Sequence, residues 1–164
     1  MTIKNIYLII AILTIIIIFF TFYLHYNKIS LNGNVVLDKK MSYVIIDEIK
    51  IEVELAQTKE QWAHGLMLRE ALDKDKGMLF IFPDSEERSF WMKNTLIPLD
   101  IIFIDSSQRI LNIEEAEPCK KESCILYKST GNAKYVLEIN RGFAAKKGIK
   151  KGDRVVLDIQ SNLS

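Results

Sequence analysis

From Ile6 to Leu24 the chain is apolar almost without a break, interrupted only by Thr14, Thr21 and the phenols of Tyr7 and Tyr23. Such a stretch has no polar face to turn to water, so it does not read as a surface helix of a globular core. At about 1.5 Å per residue it would reach roughly 28 Å, close to a hydrocarbon core of about 30 Å. It predicts a single transmembrane helix over 6–24, with Tyr7, Tyr23 and Tyr26 placed where an interfacial aromatic belt lies. A cleaved signal would end in small residues, whereas the exit here is His25-Tyr26-Asn27-Lys28, so the segment reads as a retained anchor. The chain then divides into a tail (1–5), the anchor (6–24), a tether (25–42), a soluble domain (43–160) and a C-terminal tail (161–164).

Within the domain the pattern shifts to short runs. Ile49, Ile51, Val53 and Leu55 alternate with Lys50, Glu52 and Glu54, the period of a strand with one buried face. Thr58 to Gln61 has the form of a capping box, predicting a short helix from about Lys59 that carries Trp62, Ala63 and Leu66. Gly77 to Phe82 reads as an inner strand closed by Pro83-Asp84-Ser85. Arg88 to Met92, Leu99 to Ile104, Arg109 to Ile113, Tyr135 to Ile139 and Arg154 to Ile159 follow as strand candidates, with Asp105 to Gln108 as a turn. Alternating βαβ order is not visible. The fold class expected is mainly β, a compact β-sandwich or partly open barrel with one or two short helices, preceded by the transmembrane helix.

Charge changes the picture by exclusion. The 164 residues carry 22 basic and 21 acidic side chains, a net charge of +1, which argues against nucleic acid as the main partner. Lys146, Lys147, Lys150, Lys151 and Arg154 form one local basic cluster, either a solvated turn or a contact for anionic headgroups or polymers. Positive charge on either side of the apolar segment is nearly balanced. The short N-terminal tail and the two cysteines favour a domain outside the cytoplasm. A nucleophile elbow, P-loop, dinucleotide glycine fingerprint and HExxH helix are all missing from the sequence, and no cofactor or metal is expected.

The blocks Gly65-Leu66-Met67-Leu68-Arg69, Gly77 to Phe82, Phe90-Trp91-Met92-Lys93-Asn94-Thr95 and Ile97 to Asp105 resemble the domain of unknown function 192 family. Pro118-Cys119, Cys124, Tyr127, Tyr135 to Glu138 and Gly148 to Asp153 fit the same pattern. The resemblance spans about Lys50 to Ile159 and implies a compact, mainly β domain, often exported. It brings no established reaction, so the residues must supply the functional argument.

The Trp91 to Asp100 block is the best site candidate. It gathers an indole, an ammonium, a carboxamide, a hydroxyl and a carboxylate, the mix that a sugar or peptide ligand needs. Trp91 reads as a stacking platform or as core. Lys93, Asn94, Thr95 and Asp100 read as hydrogen-bonding groups, or Asn94 and Asp100 as caps of turn amides. Arg69 reads as a carboxylate receptor or as an ion-pair partner of Asp100 or Glu138. Glu138, set inside an apolar strand, is a perturbed acid or, as preferred here, that structural partner of Arg69. His64 reads as a surface or packing residue. Cys119 and Cys124 flank a polar loop and read as a local disulfide ahead of free thiols, and a metal would need further ligands.

The function expected is a binding module for an envelope component such as a glycan or peptide, with membrane lipid met through the N-terminal helix and protein partners left open. The alternatives are a structural or assembly protein contacting other membrane proteins, and a hydrolase in which two of Asp100, Glu138 and His64 converge.

Overall fold

The computed structural model describes residues 12–25, 41–120 and 123–160. The chain forms two compact units, residues 1–39 and 40–164. In the first, residues 12–25 form a helix (α1) whose side chains are all exposed. Among the described residues no helix is long and apolar enough to cross a membrane. The expected span over 6–24 is described only from residue 12 onward. The tails (1–5 and 161–164) and the tether over 26–40 also lie outside the described residues.

The second unit is mainly β. Seven strands build one sheet: β1 (Ser42–Ile46), β2 (Ile49–Ala56), β3 (Lys76–Trp91), β4 (Leu99–Ile104), β5 (Ile110–Ala116), β6 (Leu126–Asn140) and β7 (Val155–Asp158). Two short helices, α2 (Lys59–His64) and α3 (Phe143–Lys147), sit between strands. The order is β5-β4-β6-β3-β2-β1-β7. The sheet curls until its two edges touch at one corner. There Gly152 N–H donates to the Ile110 carbonyl at 2.8 Å and Val155 N–H to the Gln108 carbonyl at 2.8 Å. This is a half-closed barrel, not a sandwich of two sheets.

The central strands are buried on both faces, which is why Leu99–Ile104 reads as a continuous apolar run. Leu79, Ile102, Ile104, Leu137 and Ile139 face one core with Val44, Ile46, Ile51 and Val155. Met78, Phe80, Ile101, Phe103 and Val136 face a second core, against which Trp62 and Leu72 pack.

Four details depart from the sequence pattern. β1 was hidden at the tether boundary, where Val44 and Ile46 alternate too briefly to stand out. Pro83-Asp84-Ser85 does not end its strand: β3 runs on to Trp91, and its pairing with β6 shifts between Ile81 and Glu86. An irregularity of that kind accommodates a residue with no amide to donate. β6 likewise extends back to Leu126 to pair with the far half of β3. Finally, β2 and β3 are parallel, so one βαβ unit exists, with α2 in the crossover.

The capping box is present: Thr58 Oγ1 accepts from Gln61 N–H at 3.3 Å, and Gln61 Oε1 accepts from Thr58 N–H at 3.0 Å. It fixes where α2 starts, and α2 carries the roof of the site described next.

Candidate functional site

Alternation along β6 sends Leu137 and Ile139 into the first core and Glu138 to the opposite face. There Glu138 lies between Met78 of β3 and Ile101 of β4. It is only 5% exposed. Its Oε2 has no hydrogen-bond partner among the described residues. Burial pushes its carboxyl up to about 8, because a charge moved away from water loses solvation that nothing here replaces.

Two glycines shape this place. A Cβ on Gly77 would stand 2.5 Å from the Glu138 carbonyl oxygen, so β3 and β6 could not approach as they do with a larger residue. Gly65, just past α2, has φ +49, and a Cβ there would meet Phe80 at 3.2 Å and Glu138 Oε2 at 3.7 Å. Gly65 thereby lets the chain pass closely over the carboxyl group.

Above Glu138 is a cavity of about 30 Å³, bordered by Trp62, His64, Phe80, Phe90, Trp91 and Thr95. That volume suits one small polar group. Phe80 and Phe90 meet edge to face at 5.0 Å, and Trp62 Nε1–H donates to the Ala56 carbonyl at 2.9 Å, so these walls are fixed. Two loops beside the cavity are tied together. Leu68 N–H donates to the Asn94 carbonyl at 2.9 Å, and both residues hold left-handed backbone, φ 62 and 57. Two non-glycine residues in that region, tied together, mark a place where the surroundings over-determine the backbone.

The expected site residues divide. Trp91 is 48% exposed, so it is neither core nor fully free, and it borders the cavity. Lys93 Nζ stands 5.4 Å from its ring centroid. Thr95 is buried and borders the same cavity. Asn94 contributes its backbone carbonyl to the loop contact. Met92 O accepts from Cys119 N–H at 3.2 Å, and Cys119 and Cys124 are joined as a disulfide, which holds the neighbouring loop against this segment.

Asp100 and Arg69 are not brought there. Asp100 pairs across the sheet with Ile139, not with Glu138, and so faces the other side. Its Oδ1 accepts from Gly142 N–H at 2.9 Å and its Oδ2 from Ala144 N–H at 2.9 Å. Both oxygens serve the start of α3, a capping role. Arg69 makes a two-pronged pair with Glu54 at 2.6 and 2.5 Å. That pair corrects the expected role of Glu138 as partner of Arg69: the guanidinium is engaged at the surface, and Glu138 keeps the perturbed-acid role. Of the three groups a hydrolase would draw on, Asp100 does not converge with Glu138, because adjacent register positions point to opposite faces, whereas His64 and Glu138 border the same cavity.

Several residues of the site were not foreseen. Gly65, Phe80 and Phe90 carry no site signal of their own in the sequence, and Trp62 reads there only as a helix position. The only sequence signal for them was the acid inside an apolar run, which demanded a closely packed surrounding. The domain's exposed large apolar side chains are also concentrated here: Leu68, Trp91, Leu96, Ile125 and Leu126 against Val156 elsewhere, with Trp91 and Leu126 paired across β3 and β6.

Comparison with known proteins agrees on one family. The family model DUF192, described as Uncharacterized ACR, matches residues 43–157. A UPF0127 protein of Thermococcus sibiricus (strain DSM 12597 / MM 739) is 30% identical over 115 residues, covering 68% of this chain and 70% of the relative. Among solved structures, a protein of unknown function from Novosphingobium aromaticivorans DSM 12444 superposes with a TM-score of 0.63 at 39% identity, over 71% of this chain and 83% of its own. A Sinorhizobium meliloti 1021 protein described as a "putative transcription regulator" gives 0.64 at 36% identity, over 71% and 92%.

Proposed function

Since the chain belongs to the DUF192 family, described only as uncharacterised, we propose from its own geometry that it is a ligand-binding module whose site is the cavity over Glu138. The observation that carries this reading is the buried Glu138 Oε2, unpartnered among the described residues, at the floor of an aromatic-walled cavity. An unsatisfied polar atom in such a place costs stability unless it is completed by something else. A ligand group is what completes it.

The ligand class we propose is an envelope glycan or peptide. Half-exposed Trp91 offers a flat apolar face, Lys93 and Thr95 stand beside it, and one polar substituent of the ligand enters the cavity. Binding is favoured over hydrolysis because, among the described residues bordering the cavity, Glu138 has no second carboxylate to act with it. The near-zero net charge supports a ligand other than nucleic acid. Membrane attachment through the apolar segment 6–24, with the domain outside the cytoplasm, completes the proposal. The evenly apolar sequence and the exposed apolar surface of α1 support it, since lipid would cover that surface.

The test is a thermal-shift series on the full chain in neutral detergent against envelope glycans and peptides, with Trp91→Ala and Glu138→Gln in parallel. Saturable stabilisation by one class, lost in both folded variants, is expected. No shift for any compound would end the reading. Retention in the membrane pellet after an alkaline carbonate wash is the result expected for the anchor, and release would remove it.

A further inference from the structure

We infer that the group received by the cavity over Glu138 is a primary ammonium, carried on a ligand with an apolar body. The inference rests on that cavity being the binding site, and it names the chemistry that fits.

Two kinds of small group could complete a buried carboxyl: a hydroxyl, accepting from the neutral acid or donating to the carboxylate, or an ammonium, donating to the carboxylate. The walls choose between them. Trp62, Phe80, Phe90 and Trp91 border the cavity, and aromatic faces attract a cation most strongly where water is excluded. Among the described residues bordering the cavity there is no Lys or Arg to supply the missing positive charge. Arg69, on the loop that follows α2, is engaged by Glu54. The titratable or charged groups facing this place are Glu138 itself, His64 on the α2 side and, outside the cavity over the Trp91 ring, Lys93; further along the same sheet face are Glu54 of β2, paired with Arg69, and Glu114 of β5.

Size narrows the class. About 30 Å³ is room enough for one water-sized group, the size of a –NH₃⁺. The surroundings of the mouth say what carries it. Leu68, Leu96 and Leu126 are exposed on the same segments that frame the entrance, so a ligand with an apolar body covers them as its ammonium enters.

Protonation gives the inference its signature. With the Glu138 carboxyl at about 8, an ammonium arriving at neutral pH must displace a proton. Its affinity therefore rises about tenfold per pH unit up to about pH 8, while an alkylamine stays charged to about pH 10. A hydroxyl ligand accepts from the acid or donates to the carboxylate, so it need not displace a proton and shows no tenfold rise per pH unit.

The experiment titrates the full chain in neutral detergent with butylammonium, tetramethylammonium and 1-butanol between pH 6 and 8.5, read by tryptophan fluorescence and melting temperature, with Glu138→Gln alongside. Saturable binding of butylammonium alone is expected, tightening about tenfold per pH unit below pH 8 and lost in Glu138→Gln. The pH series on the unmodified chain keeps the test informative if that variant does not fold. Butanol binding as well as butylammonium, or butylammonium binding with no rise in affinity towards pH 8, would overturn the ammonium inference and leave the site reading standing. If none of these probes binds and none of the glycans or peptides above does either, both fail.

Discussion

Asp100 and Glu138 are both buried carboxyl groups on neighbouring central strands, one register step apart, and the fold treats them in opposite ways. Asp100 faces the side where α3 begins, and two backbone N–H groups meet its oxygens. Glu138 faces the side roofed by the Gly65 turn, where no described group meets Oε2. The period of two in a β-strand is the whole cause: a shift of one residue exchanges a helix start that supplies two N–H donors for an aromatic-bordered cavity. A buried acid is therefore structural or available according to which face it takes, and its residue type does not decide.

The largest expected effect that sharpens this contrast is the pH dependence of stability. Glu138 sits at about 8 in the folded chain against an ordinary 4.5. The folded state holds its proton more tightly than the unfolded state, so this contribution is fully present below about pH 4.5 and is lost as pH rises to about 8. The loss across that window is on the order of 3–5 kcal/mol as an upper bound. Chemical denaturation at pH 5 and pH 8 checks it, and Glu138→Gln should flatten the profile. An equally steep profile in the variant would break the contrast.

Asp100→Ala comes next. It leaves the Gly142 and Ala144 N–H groups without their acceptor, at a cost of about 3 kcal/mol, and it should leave the Glu138 pH profile unchanged. A denaturation midpoint close to the parent's would mean that Asp100 is not the cap of α3. Replacing Cys119 and Cys124 together by Ser should cost about 2 kcal/mol, the chain-entropy value for so short a loop, and should loosen the wall beside Met92. Comparing melting temperatures with and without reductant checks the parent against the variant. The smallest effect belongs to Arg69→Ala. Its pair with Glu54 is partly exposed, so about 0.5–1 kcal/mol is expected. A pH profile altered by this change would show that Arg69 does act on Glu138.

Much of the strand content was legible because its physics is local. The alternation from Ile49 to Leu55 gave β2, the all-apolar Leu99–Ile104 gave β4, and Thr58 with Gln61 gave the start of α2. What failed was non-local. Pro83 reads as a stop, yet β3 continues because β6 shifts its pairing to accept it. Ser42–Ile46 is too short to announce itself and becomes a strand by lying between β2 and β7. At the site, Trp91 and Thr95 were legible from their polar-aromatic block. Gly65 and Phe90 were not, since nothing along the chain says that they meet Glu138.

By itself the sequence determined the family, the β character of the domain and the presence of one acid where an apolar residue was due. It could do so because periodicity, turn chemistry and a polar residue in an apolar run are properties of neighbours along the chain. Only the tertiary structure decided that Arg69 turns to Glu54, that Asp100 caps α3, and that Glu138 is left beside Gly65 at a cavity bordered by four aromatic residues. Those outcomes depend on which face each strand presents and on which segments the curled sheet brings together, and both are set by pairing between residues far apart in sequence.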